Sequence, residues 1–464
     1  MQDTGHPAPL VPPPEGWTYP KFESIAPIID RHVSMDRASM DPKDSQSMVY
    51  ILEEGFLPQD RSWILGVRKE RMKKRSNVLY RPEIVNDLVQ RIDKIFEEDE
   101  GMGLLVKGPP GVGKSYSLIN LTRYLLASGN YWVTIIPDCE KWENADNFFK
   151  FLLQSVGVDA SRFRRMSPAT SEADFEDLIA DIDHVLSNRG KKWVFIFDQI
   201  NRIFARKEFR EEKDVGVLRF PFSHMKMVLK PGRITSVISA SANNDVSYKE
   251  NHPGFEDFDH PTKFDQPDIK LLYPARQIAR WNWDEVDYAT GRVPLYLSRW
   301  AKDPARYSGE VDSEITSSLM KLEDEQGKRW ILFVESAIRC VLRHPEDKPP
   351  IFFDRKYTFV KEEEVSGTYK YYFVPLFPLV EQSYRGFFWD NLAMYITKRE
   401  NDILALCKDP STTEDVRGRF FEEIVIARLV SSSSSADDFK RILTVVNLTI
   451  DDEWDAILRR PADT

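Results

Sequence analysis

Hydrophobic positions along this chain alternate between two rhythms. Short, nearly continuous apolar runs occur at 103–107, 132–137, 193–197 and 234–240. Runs of that length, closed by polar turns, predict strands buried on both faces, as in a parallel sheet. Between them apolar residues return every third or fourth position. That spacing predicts helices over 82–96, where Ile84, Leu88, Ile92 and Phe96 form one row, and over 115–128, 144–156, 172–188 and 215–229. Strands alternating with helices predict an α/β fold, a three-layer sandwich around a parallel sheet.

Beyond residue 291 the helical rhythm continues at 295–300, 315–326 and 330–341 with little strand signal. Runs at 351–360 and 369–375, around Val365, Ser366 and Gly367, predict a β-hairpin, and 383–406 and 415–430 predict two more helices. Five serines at 431–435 form a low-complexity linker or loop. The expected organisation is an extended Pro-rich arm at 1–50, touching the body through Trp17, Tyr19 and Phe22. A basic linker at 51–77, an α/β core at 78–290, a helical lid at 291–345 and a smaller α+β region at 346–464 follow.

Chemistry concentrates where the first core strand meets the next helix. Gly108, Pro109, Pro110, Gly111, Val112, Gly113, Lys114 and Ser115 form a G-x-x-x-x-G-K-[ST] loop, with Tyr116 opening the helix behind it. Glycines let backbone amides curl around phosphate oxygens, and the helix N-terminus adds partial positive charge. In such a P-loop Lys114 reaches the β- and γ-phosphates and the Ser115 hydroxyl ligates Mg²⁺. The expected ligand is a nucleoside triphosphate. The strand at 193–197 ends in Asp198, a Walker B-type acid placed to hold Mg²⁺. Gln199 follows it, where a glutamate usually polarises the attacking water; an amide positions water but takes no proton. Slow hydrolysis, or a base from elsewhere such as Asp138, would result. A plain strand-end cap is the simpler reading of Asp138. Ser241 and Asn243, leaving the strand at 234–240, are either a γ-phosphate sensor or a polar turn.

Composition adds little beyond solubility. The 464 residues are 42% hydrophobic and 30% charged, with a net charge of −10, which excludes a uniformly cationic nucleic-acid coat. One basic run at 68–75 holds six Lys or Arg in eight positions and reads as a solvated helix face, a nuclear-import signal or a phosphate contact. Three scattered cysteines suit a reducing compartment, and no zinc spacing is visible. Without a signal-like start or a long apolar run, a soluble intracellular chain in cytoplasm or nucleus is expected, with no membrane partner.

Val78-Leu79-Tyr80-Arg81-Pro82 resembles the hydrophobic-Gly-Arg segment before the P-loop in the AAA+/STAND branch of ATPases, with Tyr80 where Gly is usual. That resemblance implies ATP as the nucleotide and places Arg81 beside the base. Thr290-Gly291-Arg292-Val293-Pro294-Leu295 resembles the Gly-x-Pro-type motif that marks the helical lid there, with Arg292 in place of glycine. These features, with the FDQ at 197–199, YRGFFW at 384–389 and RGRFFEEIVIARL at 417–429, also resemble the Crinkler and retrotransposon-hot-spot (RHS) superfamily. The resemblance implies an effector-type ATPase acting on DNA or a DNA-associated protein, in a host nucleus if translocated. Members often carry a nuclease-like domain; Glu422 would be its metal-facing acid, or a surface charge on a helical appendage. Asp438-Phe439-Lys440 offers only a formal D-x-K beyond the serines. The aromatic and basic stretch 357–389 suits either nucleic-acid stacking or hairpin packing. The expected function is a Mg-dependent ATPase, with a nucleotide switch of little turnover, a nucleotide-dependent oligomer and an ATPase-regulated nuclease as further readings.

Overall fold

The computed structural model describes residues 22–42, 49–51, 77–98, 103–136, 152–158, 172–198, 234–239, 255–325 and 356–387 without Ser366 and Arg385, and isolated positions 401 and 405. The chain divides into two compact units, Met1–Arg280 and Trp281–Thr464.

The first unit is built on a parallel sheet. Five strands, β3 (Gly103–Lys107), β4 (Tyr131–Ile136), β5 (Lys192–Phe197), β6 (Ile234–Ser239) and β7 (Phe255–Asp259), lie in the order β4-β5-β6-β3-β7. Every pairing in it is parallel. The fold is therefore α/β, as the alternation of rhythms predicts. All six residues of β4 and of β6 are buried, so both faces of the sheet are covered. Helices α2 (Pro82–Glu98), α3 (Lys114–Ser128) and α4 (Glu172–Asn188) supply the cover. Leu88 and Ile92 of α2, Leu121 and Leu125 of α3, and Leu178, Ile182 and Leu186 of α4 are fully buried. A short antiparallel pair, β1 (Val49–Ile51) with β2 (Asn77–Leu79), precedes α2.

Several elements depart from the sequence reading, and two of them have a clear physical origin. Residues 22–33, expected within an extended arm, form helix α1 (Phe22–Val33). An interior proline such as Pro27 costs a helix ~3 kcal/mol. Ile25, Ile29 and Val33 are each fully buried, and complete burial of one such side chain is worth ~1.5–3 kcal/mol. Three of them outweigh the proline. Strand β7 was not expected because FEDFD carries only two apolar residues. It is an edge strand whose acids find cations: Lys107 meets Asp257 at 2.8 Å and Arg91 meets Glu256 at 2.7 Å.

In the second unit, α7 (Trp283–Thr290), α8 (Pro294–Trp300) and α9 (Pro304–Glu325) follow one another, preceded in the first unit by the short α5 (Gln266–Leu272) and α6 (Ala275–Ile278). Gly291 closes α7 in the left-handed region, and a Cβ there would fall 2.9 Å from Phe377 Cβ. Strands β8 (Thr358–Val365) and β9 (Thr368–Pro375) form the expected hairpin, with β8 running farther toward the turn than the apolar run suggests. Glu314 binds Arg299 at 2.9 Å and also takes bonds from Lys356 and Tyr357, which together hold its carboxyl down at about 2 despite the opposing effect of burial. Among the described residues no helix is long and apolar enough to cross a membrane.

Candidate functional site

The loop between β3 and α3 lies at the carboxyl edge of the sheet, where ligands of open α/β sheets bind. Leu104, Leu105 and Val106 anchor β3 in the core with no exposure. Gly108, Gly111 and Gly113 then take φ values of +146°, +84° and +105°. L-residues rarely adopt these, which is why the turn needs glycine at those positions. Pro109 and Val112 are buried, and Pro110, Ser115 and Tyr116 stay partly exposed. Gly113 is the N-cap of α3 and offers no side-chain acceptor. The helix N-terminus thus presents amides and partial positive charge at the loop.

Lys114 Nζ donates to the carbonyls of Gly108 and Pro109 at 2.6 and 2.9 Å, folding back over its own loop. Burial pulls its pKa down to about 8, and the nearby charge of Asp198 works against that fall. A desolvated ammonium held by two neutral carbonyls favours an anion.

Asp198 sits one residue past β5 and is 4% exposed. Its amide donates to Ile136 O at 2.8 Å, extending the ladder with β4. Strand β6 lies between β5 and β3, and its last residue, Ser239, donates to Asp198 Oδ1 at 2.6 Å. Ser239 is in register with Val106 of β3. The order of strands therefore brings the Asp198 carboxylate, the buried Ser239 hydroxyl and the Lys114 ammonium to one edge. A hydroxyl and a carboxylate are hard oxygen donors of the kind Mg²⁺ takes, with substrate phosphates completing its shell. Among the described residues no cluster of three or more His, Cys, Asp or Glu that could hold a metal ion is present.

Arg81, expected beside the base, is a tenth exposed and directs Nε to Glu83 and Asp268, each at 3.2 Å. Its guanidinium carbon lies 5.7 Å from the Phe264 ring centroid, and its buried Nη1 has no hydrogen-bond partner among the described residues. Burial raises the Asp268 carboxyl, against the pull of Arg81. Tyr80, in the position where glycine is usual, is buried, its hydroxyl without a partner among the described residues and its pKa raised by burial to about 12. Asn120 of α3 donates to Leu79 O at 2.9 Å and ties this segment to the P-loop helix.

Gln199, Ser241, Asn243, Asp138, Glu422, the 438–440 triplet and the basic run at 68–75 lie outside the described residues. Sequence reasoning missed four residues of the site. Ser239 was visible as the polar end of an apolar strand. Ser117 and Asn120 were hidden on a helix with polar residues all round. His260 follows the unrecognised strand β7, and only the extended preference of a residue before Pro261 hinted at its backbone.

No protein-family model matches the sequence, and no curated protein sequence is similar to it. Among solved structures the chain is similar to Aeropyrum pernix ORC2 in ADPNP and ADP complexes, at 11% identity, TM-score 0.35, over 77% of this chain and 99% of that one. It is similar to Drosophila ORC bound to DNA at 11% identity, TM-score 0.32, over 83% and 94% of the two chains. The match to C. elegans PCH-2 has 10% identity and a TM-score of 0.23, and spans 39% of this chain and less than half, 43%, of that one. Those likenesses are too slight to carry an argument; the P-loop α/β assignment stands on the parallel sheet and the glycine loop of this chain.

Proposed function

We propose that this chain is a Mg-dependent ATPase whose P-loop edge binds ATP. One observation carries the reading: Lys114 is partly buried, donates to carbonyls of its own loop, and lies in the field of a buried carboxylate bonded by Ser239. On ATP binding Lys114 exchanges those carbonyls for β- and γ-phosphate oxygens, while amides of Gly111 to Ser115 surround the phosphates. Ser115 and Asp198 would hold Mg²⁺, which when bound would neutralise charge on the phosphates. In this reading Gln199 orients the attacking water, and Ser241 or Asn243 serves as the γ-phosphate sensor. Arg81, whose buried Nη1 has no partner among the described residues, faces the base end. The sequence blocks at 78–82, 290–295 and 417–429 support a Crinkler/RHS-type effector ATPase. The basic run at 68–75 supports salt-sensitive, weakly sequence-selective DNA contact that charge reversal at Lys73, Lys74 and Arg75 would reduce.

Phosphate release from ATP by the purified chain, compared with Lys114→Ala and Asp198→Asn, tests the reading. Loss in both variants is expected, and equal rates in all three proteins would overturn it. Gln199 in place of glutamate favours a second reading, a nucleotide switch with little turnover. Tight ATP retention with no phosphate release by the wild type would select it.

A further inference from the structure

His260 stands directly beside the P-loop without belonging to it. Its backbone amide donates to Lys107 O at 3.0 Å, one residue before the loop begins. Its Nε2 is 2.8 Å from Ser117 Oγ, one turn past the loop's end, and its Nδ1 is 2.9 Å from Pro261 O. A carbonyl only accepts, so Nδ1 carries the proton and bare Nε2 accepts from the serine hydroxyl. The empty side of Gly108 faces the same residue: a Cβ there would sit 3.5 Å from both His260 Cβ and His260 O. His260 is 3% exposed. Burial, with the charges of Lys114 and Arg81 added, keeps its ring neutral against the weaker opposing bond to Pro261, and its pKa falls to about 4.

We propose that His260 is a positioning residue for the phosphate loop, its neutral imidazole joining the end of β7 to Ser117 and so fixing both the entry and the exit of 108–113 in the shape that receives a triphosphate. The proposal rests on the ATP-binding reading for its consequence, and on the apoprotein geometry for its substance. The neutral ring is the suitable group. It accepts from Ser117 and donates to Pro261 at once, without adding a charge that would compete with Lys114 for phosphate.

Two readouts on the full-length chain test it. Hydrogen exchange of apoprotein peptides covering 108–117 should quicken in His260→Asn, which keeps a donor near Pro261 but cannot reach Ser117, and in Ser117→Ala. Exchange in β4 and β5 should stay as in the wild type. His260→Gln, whose Oε1 reaches the position of Nε2, should restore slow exchange. The affinity for Mg-ATP should fall about tenfold in either single variant, the loss expected for one buried hydrogen bond with its partner stranded. The double variant should bind no more weakly than the singles, because the two residues act through one bond. Additive losses, uniform quickening across the sheet, or unchanged exchange at 108–117 would each overturn the proposal. Should the wild type fail to bind Mg-ATP while the exchange pattern holds, the ATPase reading fails and the loop-holding role of His260 stands.

Discussion

Acidification should destabilise this chain through His260 in a defined window. The folded-state pKa near 4 lies below the ordinary histidine value of 6.5. Between those values the unfolded chain binds a proton that the folded chain refuses. The stabilisation is therefore complete above pH 6.5 and disappears progressively as the pH falls toward 4. At about 1.4 kcal/mol per pH unit, the full window corresponds to about 3 kcal/mol, and about 2 kcal/mol is lost by pH 5. With 3% exposure, solvent screening takes little from this figure. His32 is pushed to about 4 by burial and by Arg37, so it contributes in the same direction. A comparison with His260→Gln cancels His32 and every carboxylate. Urea unfolding at pH 7.5, 6.0 and 5.0 should show wild type losing more stability than the variant, by about 1.4 kcal/mol per unit within the window. Carbon-13 histidine spectra should show the signal missing from the variant titrating well below pH 6. A stability difference that does not change with pH, or a His260 signal titrating between 6 and 7, would refute the reasoning.

Other consequences follow from backbone and packing. Gly113→Ala meets no atom within 4 Å, yet φ is +105°; pure backbone strain should cost about 1 kcal/mol or more in unfolding free energy and weaken nucleotide binding. Gly157→Ala should cost more than that, because its Cβ would lie 2.4 Å from His32 Cγ; limited proteolysis should find α1 loosened. Arg292 holds φ at +55°, where glycine is at ease, and binds Asp287 through Nε and through Nη2 at 2.9 Å. Arg292→Ala should therefore lower the thermal midpoint more than Arg292→Gly, which sheds the strain along with the ion pair.

The parts of the fold that were legible in the sequence are those whose side chains all face one kind of environment. Strands β3 to β6 are buried on both faces, so their apolar runs stand out, and the glycines of Gly108 to Ser115 announce a tight turn that the positive φ values bear out. Strand β7 escaped because an edge strand tolerates Glu256 and Asp257 when Arg91 and Lys107 answer them. Helix α1 escaped because Pro27 and its proline-rich surroundings masked the i, i+4 row Ile25, Ile29 and Val33. In the site, Asp198 was readable from its strand, whereas its bond to Ser239 depends on β6 entering between β5 and β3. His260 depends on β7 lying beside β3. Such neighbours are set by strand order, which the local pattern does not encode.

Calorimetric titration of the wild-type chain with ATP, with and without Mg²⁺, tests the central claim most directly when repeated on Lys114→Ala and Asp198→Asn. Charge-assisted phosphate contacts are worth ~1.5–3 kcal/mol each, so Lys114→Ala should bind ATP at least tenfold more weakly in either condition. Asp198→Asn should instead lose the gain that Mg²⁺ brings to the wild type. Unchanged ATP affinity in Lys114→Ala, together with an undiminished Mg²⁺ effect in Asp198→Asn, would contradict the assignment of this edge as the nucleotide site.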